Sequence, residues 1–550
     1  MAGLMNKVLF LLALLFLTCI PAFCDENEDL MSVTGKAREG DFAGALADCN
    51  KVIKSNPSSA RAYLLRGTIR RNIGDLDGAL FDYNYAIKLQ PGNAIGYTYR
   101  GNLEAQKGDS TNALADFNTA IDLSVKYAPV TDIPGNQERS PDYNASSDFS
   151  PRAEAYLNRA QLRFAKGDWD GALADCHEAL QINPNFARAY AFRSILEQGR
   201  GDYDDALTDC NRAIKLGPRY SYSYLSRAFL ERRTGDFQFA LADYNTAIWL
   251  DPRNCVLYVD RGLFEFQKHD WDDASIDYNK AIQLNPSYAE AYSVRGDLER
   301  REGQLPEALA DCNKAIKLNP ENVDAYSIRG LTKRAMGNLD DALADANTAV
   351  KLNSKDVRAL IDRSVIKYNK GDGEGAFADC QEVLRINSKN TRADYVMGCF
   401  YSNSHQFTNA LAVFRQVNEF DPETKDYAEF RLWLIQARLG RQEKATEELQ
   451  NYWKNQNNGI KMEWLPIICQ FLTGEITEQN FLKAAESTDR QKDTDQHCEA
   501  FFYAASKRLI AGDKTGATIY FQKCLATNDK SFLEYQSAKA ELKFLQSTNS

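Results

Sequence analysis

Cysteine and histidine are the residues of this chain with the widest range of possible chemistry. The 550 residues contain 12 cysteines and 4 histidines, which could form disulfides, ligate a metal or transfer protons. His177 and His497 have no neighbours at metal-ligand spacing, and no CxxC, HExxH, GxSxG or phosphate-loop motif occurs. The sequence therefore predicts no enzyme, no catalytic or metal-binding residues and no cofactor.

The positions of the cysteines argue against a disulfide framework over most of the chain. Five of them occupy a slot that Tyr or Phe fills at equivalent places elsewhere: Cys49, Cys176, Cys210, Cys312 and Cys380. Equivalent positions on stacked helices lie about 8–10 Å apart, beyond the ~7 Å that a disulfide can bridge. These five are expected to be small interior hydrophobes. Cys469, Cys498 and Cys524 share the C-terminal region, where a disulfide remains an open possibility.

A turn-forming residue recurs through most of the chain at a step of 34 residues. It is found at Gly40, Gly74, Gly108, Gly167, Gly201, Gly235, His269, Gly303, Gly337, Gly371 and His405. The single longer step, from Gly108 to Gly167, equals one repeat plus a 25-residue insertion. Alanine follows five residues after the turn in all eleven cases, and proline closes eight of the units. Such a period indicates a stack of identical supersecondary units.

A 34-residue unit with a small residue in its first half, a Gly turn, an alanine and a terminal proline resembles the tetratricopeptide repeat (TPR). The resemblance implies an all-α fold, a TPR α-solenoid in which antiparallel helix pairs wind into a right-handed superhelix with a concave groove. One helix pair cannot bury its own apolar face, so stacking must complete the core. The last helix, about 532–546, is expected to cap that core.

The repeat and its interruptions predict six segments. They are a signal peptide (1–24), TPR units 1–3 (25–127), an inserted loop (128–152), TPR units 4–11 (153–424), a degenerate unit (425–459) and a C-terminal helical region (460–550) with a TPR-like hairpin and capping helix. The inserted loop could be a lid over the groove or a disordered spacer. The C-terminal region is weakly similar to that of bacterial cell-envelope TPR lipoprotein adaptors, although the lipid-attachment motif is missing.

The N-terminus carries an apolar run, 8–20, that is too short to cross a bilayer as a helix. Pro21 and the small-x-small stretch ending at Cys24 follow it, as in a secretory signal peptide. We therefore expect export to a periplasm or to the extracellular space, without stable membrane insertion after cleavage. The net charge of −10 gives no basic field for nucleic acid.

An arginine and an aspartate recur 16 residues apart. Arginine precedes the small residue of the first helix in nine units: Arg66, Arg100, Arg159, Arg193, Arg227, Arg261, Arg295, Arg329 and Arg363. Aspartate occupies one second-helix position in ten: Asp48, Asp82, Asp116, Asp175, Asp209, Asp243, Asp277, Asp311, Asp345 and Asp379. We expect pairing across units, Asp48 with Arg66 onward, with pairing inside each unit as the competing geometry. A structural ladder is favoured over an anion-binding one.

In TPR proteins the groove is lined by particular first-helix positions, which here are basic and aromatic. They include Arg71, Phe164, Tyr222, Phe229, Arg232, Phe266, Arg300, Arg334 and Tyr368. Arginine and aromatic side chains dominate many protein interfaces. We therefore expect a non-catalytic scaffold that holds protein or peptide ligands of acidic character, in a bacterial envelope. Alternatives are a lumenal co-chaperone-like protein of a eukaryotic secretory pathway or an enzyme sited in 460–550.

Overall fold

The computed structural model describes residues 28–126, 150–417, 422–455, 464–487, 490–530 and 532–547. The predicted signal peptide, residue 127 and residues 128–149 of the inserted loop lie outside this range. The described residues form 29 α-helices joined by turns, with no strand among them. The all-α prediction is therefore confirmed, and the helices stack in pairs.

The first eleven units each contribute an A helix (odd number) and a B helix (even number). Their bounds are α1 Glu28–Glu39, α2 Phe42–Ser55, α3 Ala60–Asn72, α4 Leu76–Leu89, α5 Ala94–Gln106, α6 Ser110–Lys126, α7 Pro151–Ala165, α8 Trp169–Ile182, α9 Ala187–Arg200, α10 Tyr203–Leu216, α11 Ser221–Thr234, α12 Phe237–Leu250, α13 Cys255–Gln267, α14 Trp271–Leu284, α15 Ala289–Arg301, α16 Leu305–Leu318, α17 Val323–Ala335, α18 Leu339–Leu352, α19 Val357–Lys370, α20 Gly373–Ile386, α21 Thr391–Asn403 and α22 Phe407–Phe414.

Seven further helices follow. They are α23 Pro422–Arg438, α24 Gln442–Asn455, α25 Trp464–Thr473, α26 Glu478–Ala484, α27 Arg490–Ile510, α28 Lys514–Ala526 and α29 Leu533–Ser547. Helices α23 and α24 form a twelfth pair. The helices gather into two compact parts, Met1–Arg261 and Gly262–Ser550.

The turn between A and B helices needs a left-handed backbone. Gly201 ends α9 with φ 92°, a conformation that glycine adopts without steric cost. His269 and His405 take the same place with φ 66° and 58°. The two histidines are therefore turn residues, as predicted. The alanine five positions after the turn is fully buried in all eleven units, which lets the two helices approach closely.

Side-chain size is matched between the two helices of a unit. A Cβ atom on Gly67 would lie 2.6 Å from the ring of Tyr83, which fills the B-helix slot opposite. The equivalent Gly296 faces Cys312 in that slot, with the sulfur 3.2 Å from the same added atom. The five slot cysteines are all fully buried, so their interpretation as interior hydrophobes is confirmed.

The arginine ladder is bonded inside each unit, so the prediction of pairing across units is wrong. Arg66 donates from Nε and Nη2 to both carboxylate oxygens of Asp82, at 3.0 and 2.6 Å. Asp48, the expected partner of Arg66, instead accepts from Ser32 and Lys36 within its own unit. The cause is the tight antiparallel packing of one hairpin, which brings A and B side chains 16 residues apart face to face.

The same two-oxygen contact recurs at eight units. The pairs are Arg66–Asp82, Arg100–Asp116, Arg159–Asp175, Arg193–Asp209, Arg227–Asp243, Arg295–Asp311, Arg329–Asp345 and Arg363–Asp379. Pairing across units would have left Asp379 opposite Met397, with no arginine to bind. Pairing inside the unit gives Asp379 the partner Arg363.

A second contact of the same guanidinium connects neighbouring units. Nη1 of Arg66 donates to Asn50 of the preceding unit at 2.8 Å. The equivalent bonds run from Arg100 to Asn84, Arg159 to Asn118, Arg227 to Asn211, Arg261 to Asn245, Arg295 to Asn279, Arg329 to Asn313 and Arg363 to Asn347. Seven of the arginines thus bond both their own B helix and the previous one, and the interpretation as a structural ladder is confirmed.

Candidate protein-binding surface

The A helices form a surface of their own, which we call the A-helix face. Within each part of the chain, the A helix of one unit contacts that of the next, as α9 contacts α11 and α17 contacts α19. All nine residues predicted to line a groove are on A helices. Five are buried, namely Arg71, Phe164, Tyr222, Phe229 and Tyr368; four are half-buried, namely Arg232, Phe266, Arg300 and Arg334.

The buried aromatic residues of this set pack between units. The ring of Phe164 stands edge-on to that of Phe192 in the next A helix, with 5.9 Å between centroids. The hydroxyl of Tyr222 accepts a hydrogen bond from Asn254 at 2.9 Å, and that of Tyr368 accepts one from Asn403. These side chains join one A helix to the next and leave little surface for a partner.

The half-buried arginines belong to a larger group on the A helices of units 8–11. We call it the arginine cluster, and it consists of Arg300, Arg301, Arg334, Arg358 and Arg392. Three of its guanidiniums surround the buried carboxylate of Asp297. Arg300 Nη2 lies 2.7 Å from Asp297 Oδ1, while Arg358 Nη2 and Arg301 Nε lie 3.3 and 3.9 Å from Oδ2.

The electrostatics of the cluster show crowded positive charge. Burial, and then the neighbouring guanidinium of Arg300, lower the pKa of Arg334 to about 10. Burial also lowers the pKa of Arg301, to which the guanidiniums of Arg300, Arg392 and Arg358 add repulsion. Burial alone would raise the pKa of Asp297, yet the surrounding arginines hold it well below its usual range. Arg358 shows the opposite balance: burial would lower its pKa, but Asp297, Asp324, Asp362 and Asp356 raise it above its ordinary value.

Part of the cluster is accessible. The side chains of Arg301 and Arg358 are 37% and 32% exposed, and Arg392 is exposed. The guanidinium of Arg301 also lies over the ring of Phe266, 4.9 Å from its centroid. Two of the predicted groove residues, Arg300 and Arg334, are thus brought together, and Phe266 joins them through Arg301.

The C-terminal helix covers the A-helix face of units 10–12. Arg431 of α23 donates to Glu534 of α29 at 2.7 Å, in a pair that is almost fully buried. Two helical turns further along α23, Arg438 Nη2 donates to Glu541 at 2.9 Å. The ring of Phe544 stacks on His405 of unit 11 at 4.0 Å. The predicted capping helix therefore does more than shield the last hairpin, because it also contacts the A helices of units 10, 11 and 12.

Sequence reasoning missed Arg301, Arg358, Arg392 and Asp297 as members of one site. They occupy three different positions of the repeat on three A helices. A projection of successive A helices onto one surface would have found them, because the contacts of α15 with α17 and of α17 with α19 bring these positions together.

Comparison with known families agrees with the repeat. Two family models described as "Tetratricopeptide repeat" match residues 153–186 and residues 30–94, 74–127 and 329–391. A third, described as "TPR repeat", matches 296–333. These matches fall on the helix pairs described above.

Solved structures with a similar fold are repeat proteins of low identity. The Cut9–Hcn1 hetero-tetramer of the APC/C matches at a TM-score of 0.50, with 13% identity over 97% of this chain and 98% of that chain. Yeast Tom70 matches at 0.39, with 16% identity over 77% and 98%. A tetratricopeptide repeat protein of Parabacteroides merdae ATCC 43184 matches at 0.34, with 24% identity over 47% and 92%.

Three lines agree: the 34-residue period, the stacked helix pairs and the family matches. The fold of the Cut9 structure covers nearly the whole chain. The chain is therefore a TPR protein, with tetratricopeptide repeats matched by family models over 30–127, 153–186 and 296–391.

Proposed function

We propose that this protein is an exported, non-catalytic scaffold of a bacterial cell envelope that holds acidic segments of partner proteins on its A-helix face. TPR folds serve as protein-binding surfaces, which supports the scaffold role. The single observation that carries the acidic character of the partner is the arginine cluster of units 8–11.

Charge and geometry favour carboxylates as ligands of the cluster. Guanidinium groups bind carboxylates in a planar two-point contact. Five carboxylates act on these guanidiniums, namely Asp297, Asp324, Asp356, Asp362 and Asp529. The capacity of the cluster for an acidic ligand therefore rests on its exposed members, Arg301, Arg358 and Arg392. Burial raises the pKa of Asp362 to about 6, so this acid loses its charge in mildly acidic solution and the cluster becomes more positive.

The chain's own C-terminal helix illustrates the kind of segment that suits this surface. Two glutamates of α29 pair with two arginines of α23, Glu534 with Arg431 and Glu541 with Arg438. On each helix the two residues are seven positions apart, which is two turns. A partner with acidic side chains at helical or extended spacing would present the same groups to Arg301, Arg358 and Arg392. Arg358 and Arg392 lie in the first turns of α19 and α21, whereas the C-terminal helix meets α19 at Asn369, near its other end. These first turns and Arg301 are therefore the expected docking place.

The test is direct binding of a fluorescein-labelled peptide of ten glutamates to residues 25–550, followed by fluorescence anisotropy. We expect the double variant Arg301→Glu/Arg392→Glu to bind at least about tenfold more weakly, because two rim charges are reversed. Arg385→Glu, on B helix α20 and 67% exposed, is the matched control and should bind like the wild type. Equal affinity of all three proteins would refute the assignment of the surface.

Export is proposed on the N-terminal sequence alone, through its apolar run and the small-x-small stretch before Asp25. Among the described helices none is long and apolar enough to span a bilayer. Expression of the full chain in a bacterium, cell fractionation and N-terminal sequencing test this part. Recovery of an uncut chain in the cytoplasm would contradict it.

A further inference from the structure

Two cysteines of the C-terminal region meet inside its core. Cys498 on α27 and Cys524 on α28 have their Sγ atoms 3.6 Å apart, the distance of two thiols in contact. Both side chains are fully buried. They belong to a core that also contains Phe502, Tyr503 and Phe521.

The two helices are held in an arrangement that keeps the sulfurs together. Helices α27 and α28 form an antiparallel hairpin whose turn is closed by Gly512 at φ 86°. Asp513 caps α28 by accepting from the backbone N–H of Gly516 at 2.8 Å. A disulfide requires an S–S distance of about 2.05 Å, so the sulfurs must approach by about 1.5 Å. Side-chain rotation within one hairpin supplies a movement of that size more easily than a shift between units does.

We propose that Cys498 and Cys524 form a disulfide that staples the C-terminal hairpin when the chain folds in the presence of a small-molecule disulfide such as oxidised glutathione. The thiolate of one cysteine attacks the glutathione disulfide, forms a mixed disulfide and releases one glutathione thiolate. The thiolate of the second cysteine then attacks the protein-bound sulfur and releases the second glutathione. Two protein thiols are oxidised, one glutathione disulfide is reduced to two thiols, and the two protons go to solvent or to those thiols.

The bond forms during folding rather than in the finished core. In the folded protein the thiol–thiol contact with Cys524, and then burial, raise the pKa of Cys498 far above its ordinary value. A protonated buried thiol is a poor nucleophile. In the unfolded hairpin both thiols are accessible to the glutathione disulfide, and the packing of α27 on α28 then brings them together.

The staple would act on the part of the chain that covers the A-helix face. Helix α29, which lies on units 10–12, packs against both α27 and α28. Oxidation would therefore fix the hairpin on which the covering helix rests. This inference does not depend on acidic partners, because it concerns the hairpin alone.

The test is peptide mapping of residues 25–550 refolded with glutathione buffer at two ratios, oxidising and reducing, and quenched with N-ethylmaleimide in acid. We expect one linked peptide pair that contains Cys498 and Cys524 under oxidising conditions, and its loss under reducing conditions. Thermal melting should rise by several degrees on oxidation in the wild type and in Cys469→Ala, whose substituted residue lies in the same core. For Cys498→Ala and for Cys524→Ala, the melting temperature of each variant should be the same in the oxidising and the reducing buffer.

Three results would overturn the proposal. They are alkylation of both cysteines after oxidising refolding, a linked pair that joins either of them to Cys469, and a redox-dependent melting shift that persists in Cys498→Ala. If the alanine variants do not fold, the mapping of the wild type and of Cys469→Ala decides by itself.

Discussion

The carboxyl pair of unit 8 allows a stability prediction with a definite pH dependence. Glu299 lies four residues after the ladder arginine, with its Oε1 3.7 Å from Arg295 Nε, while Asp311 holds the same nitrogen at 2.6 Å. Glu299 Oε2 is buried without a hydrogen-bond partner. Burial, and then the charge of Asp311, raise the pKa of Glu299 from 4.5 to about 7.

Other units have the opposite charge at this position. Units 5–8 carry Glu197, Glu231, Glu265 and Glu299, whereas units 2, 4, 9 and 10 carry Arg70, Arg163, Lys333 and Lys367. In unit 9, Lys333 Nζ lies 2.7 Å from Asp345, which is equivalent to Asp311. The substitution Glu299→Lys therefore places in unit 8 a contact that the next unit already makes.

The expected gain follows from the pKa of Glu299. Its folded pKa is raised, so the carboxyl group contributes favourably below about pH 4.5 and this contribution is lost as the pH rises through about 7. Each pKa unit corresponds to about 1.4 kcal/mol, which gives about 3 kcal/mol of lost stability at pH 8. Since the side chain is 16% exposed, we expect Glu299→Lys to raise the free energy of unfolding by about 1–3 kcal/mol at pH 8. At pH 5 the gain should fall below about 1 kcal/mol.

The measurement is hydrogen exchange of the α15 and α16 amides at both pH values, together with urea unfolding. Local exchange is needed because solenoids open unit by unit. Glu299→Gln serves as the control, since it removes the charge without adding a cation, and should retain most of the gain at pH 8. Destabilisation by Glu299→Lys at pH 8, or an equal gain at pH 5 and pH 8, would refute the reasoning.

Two further predictions concern the ladder and the helix contact. Arg295→Ala should lower the free energy of unfolding by about 3–5 kcal/mol, because it leaves a buried carboxylate unpaired. Asn279→Ala should lower it by only about 1 kcal/mol. Equal losses for the two variants in urea unfolding would contradict this prediction. Gly67→Ala should lower the melting temperature, because its methyl would lie 2.6 Å from the Tyr83 ring. Gly35→Ala should not, because its methyl would meet nothing within 4 Å. A lower melting temperature for Gly35→Ala than for Gly67→Ala, measured by circular dichroism, would contradict this prediction.

The sequence by itself determined the repeat architecture. Glycine at a left-handed turn, alanine at the closest helix contact and proline after the second helix each have a local physical cause, so a 34-residue period of these residues specifies helix pairs. The same local pattern identified the turn role of His269, which stands where other units have glycine, and the interior role of Cys312, which stands where other units have Tyr or Phe.

Only the tertiary structure decided which ladder residues bond. A repeated Asp and a repeated Arg have the same period whether Asp82 joins Arg66 of its own unit or Arg100 of the next, so periodicity cannot distinguish the two pairings. The arginine cluster and the position of α29 also needed coordinates, because Arg301, Arg358 and Glu534 come from distant segments. What brings them together is the packing of whole helices, and that packing depends on the summed contacts of many residues rather than on any local pattern.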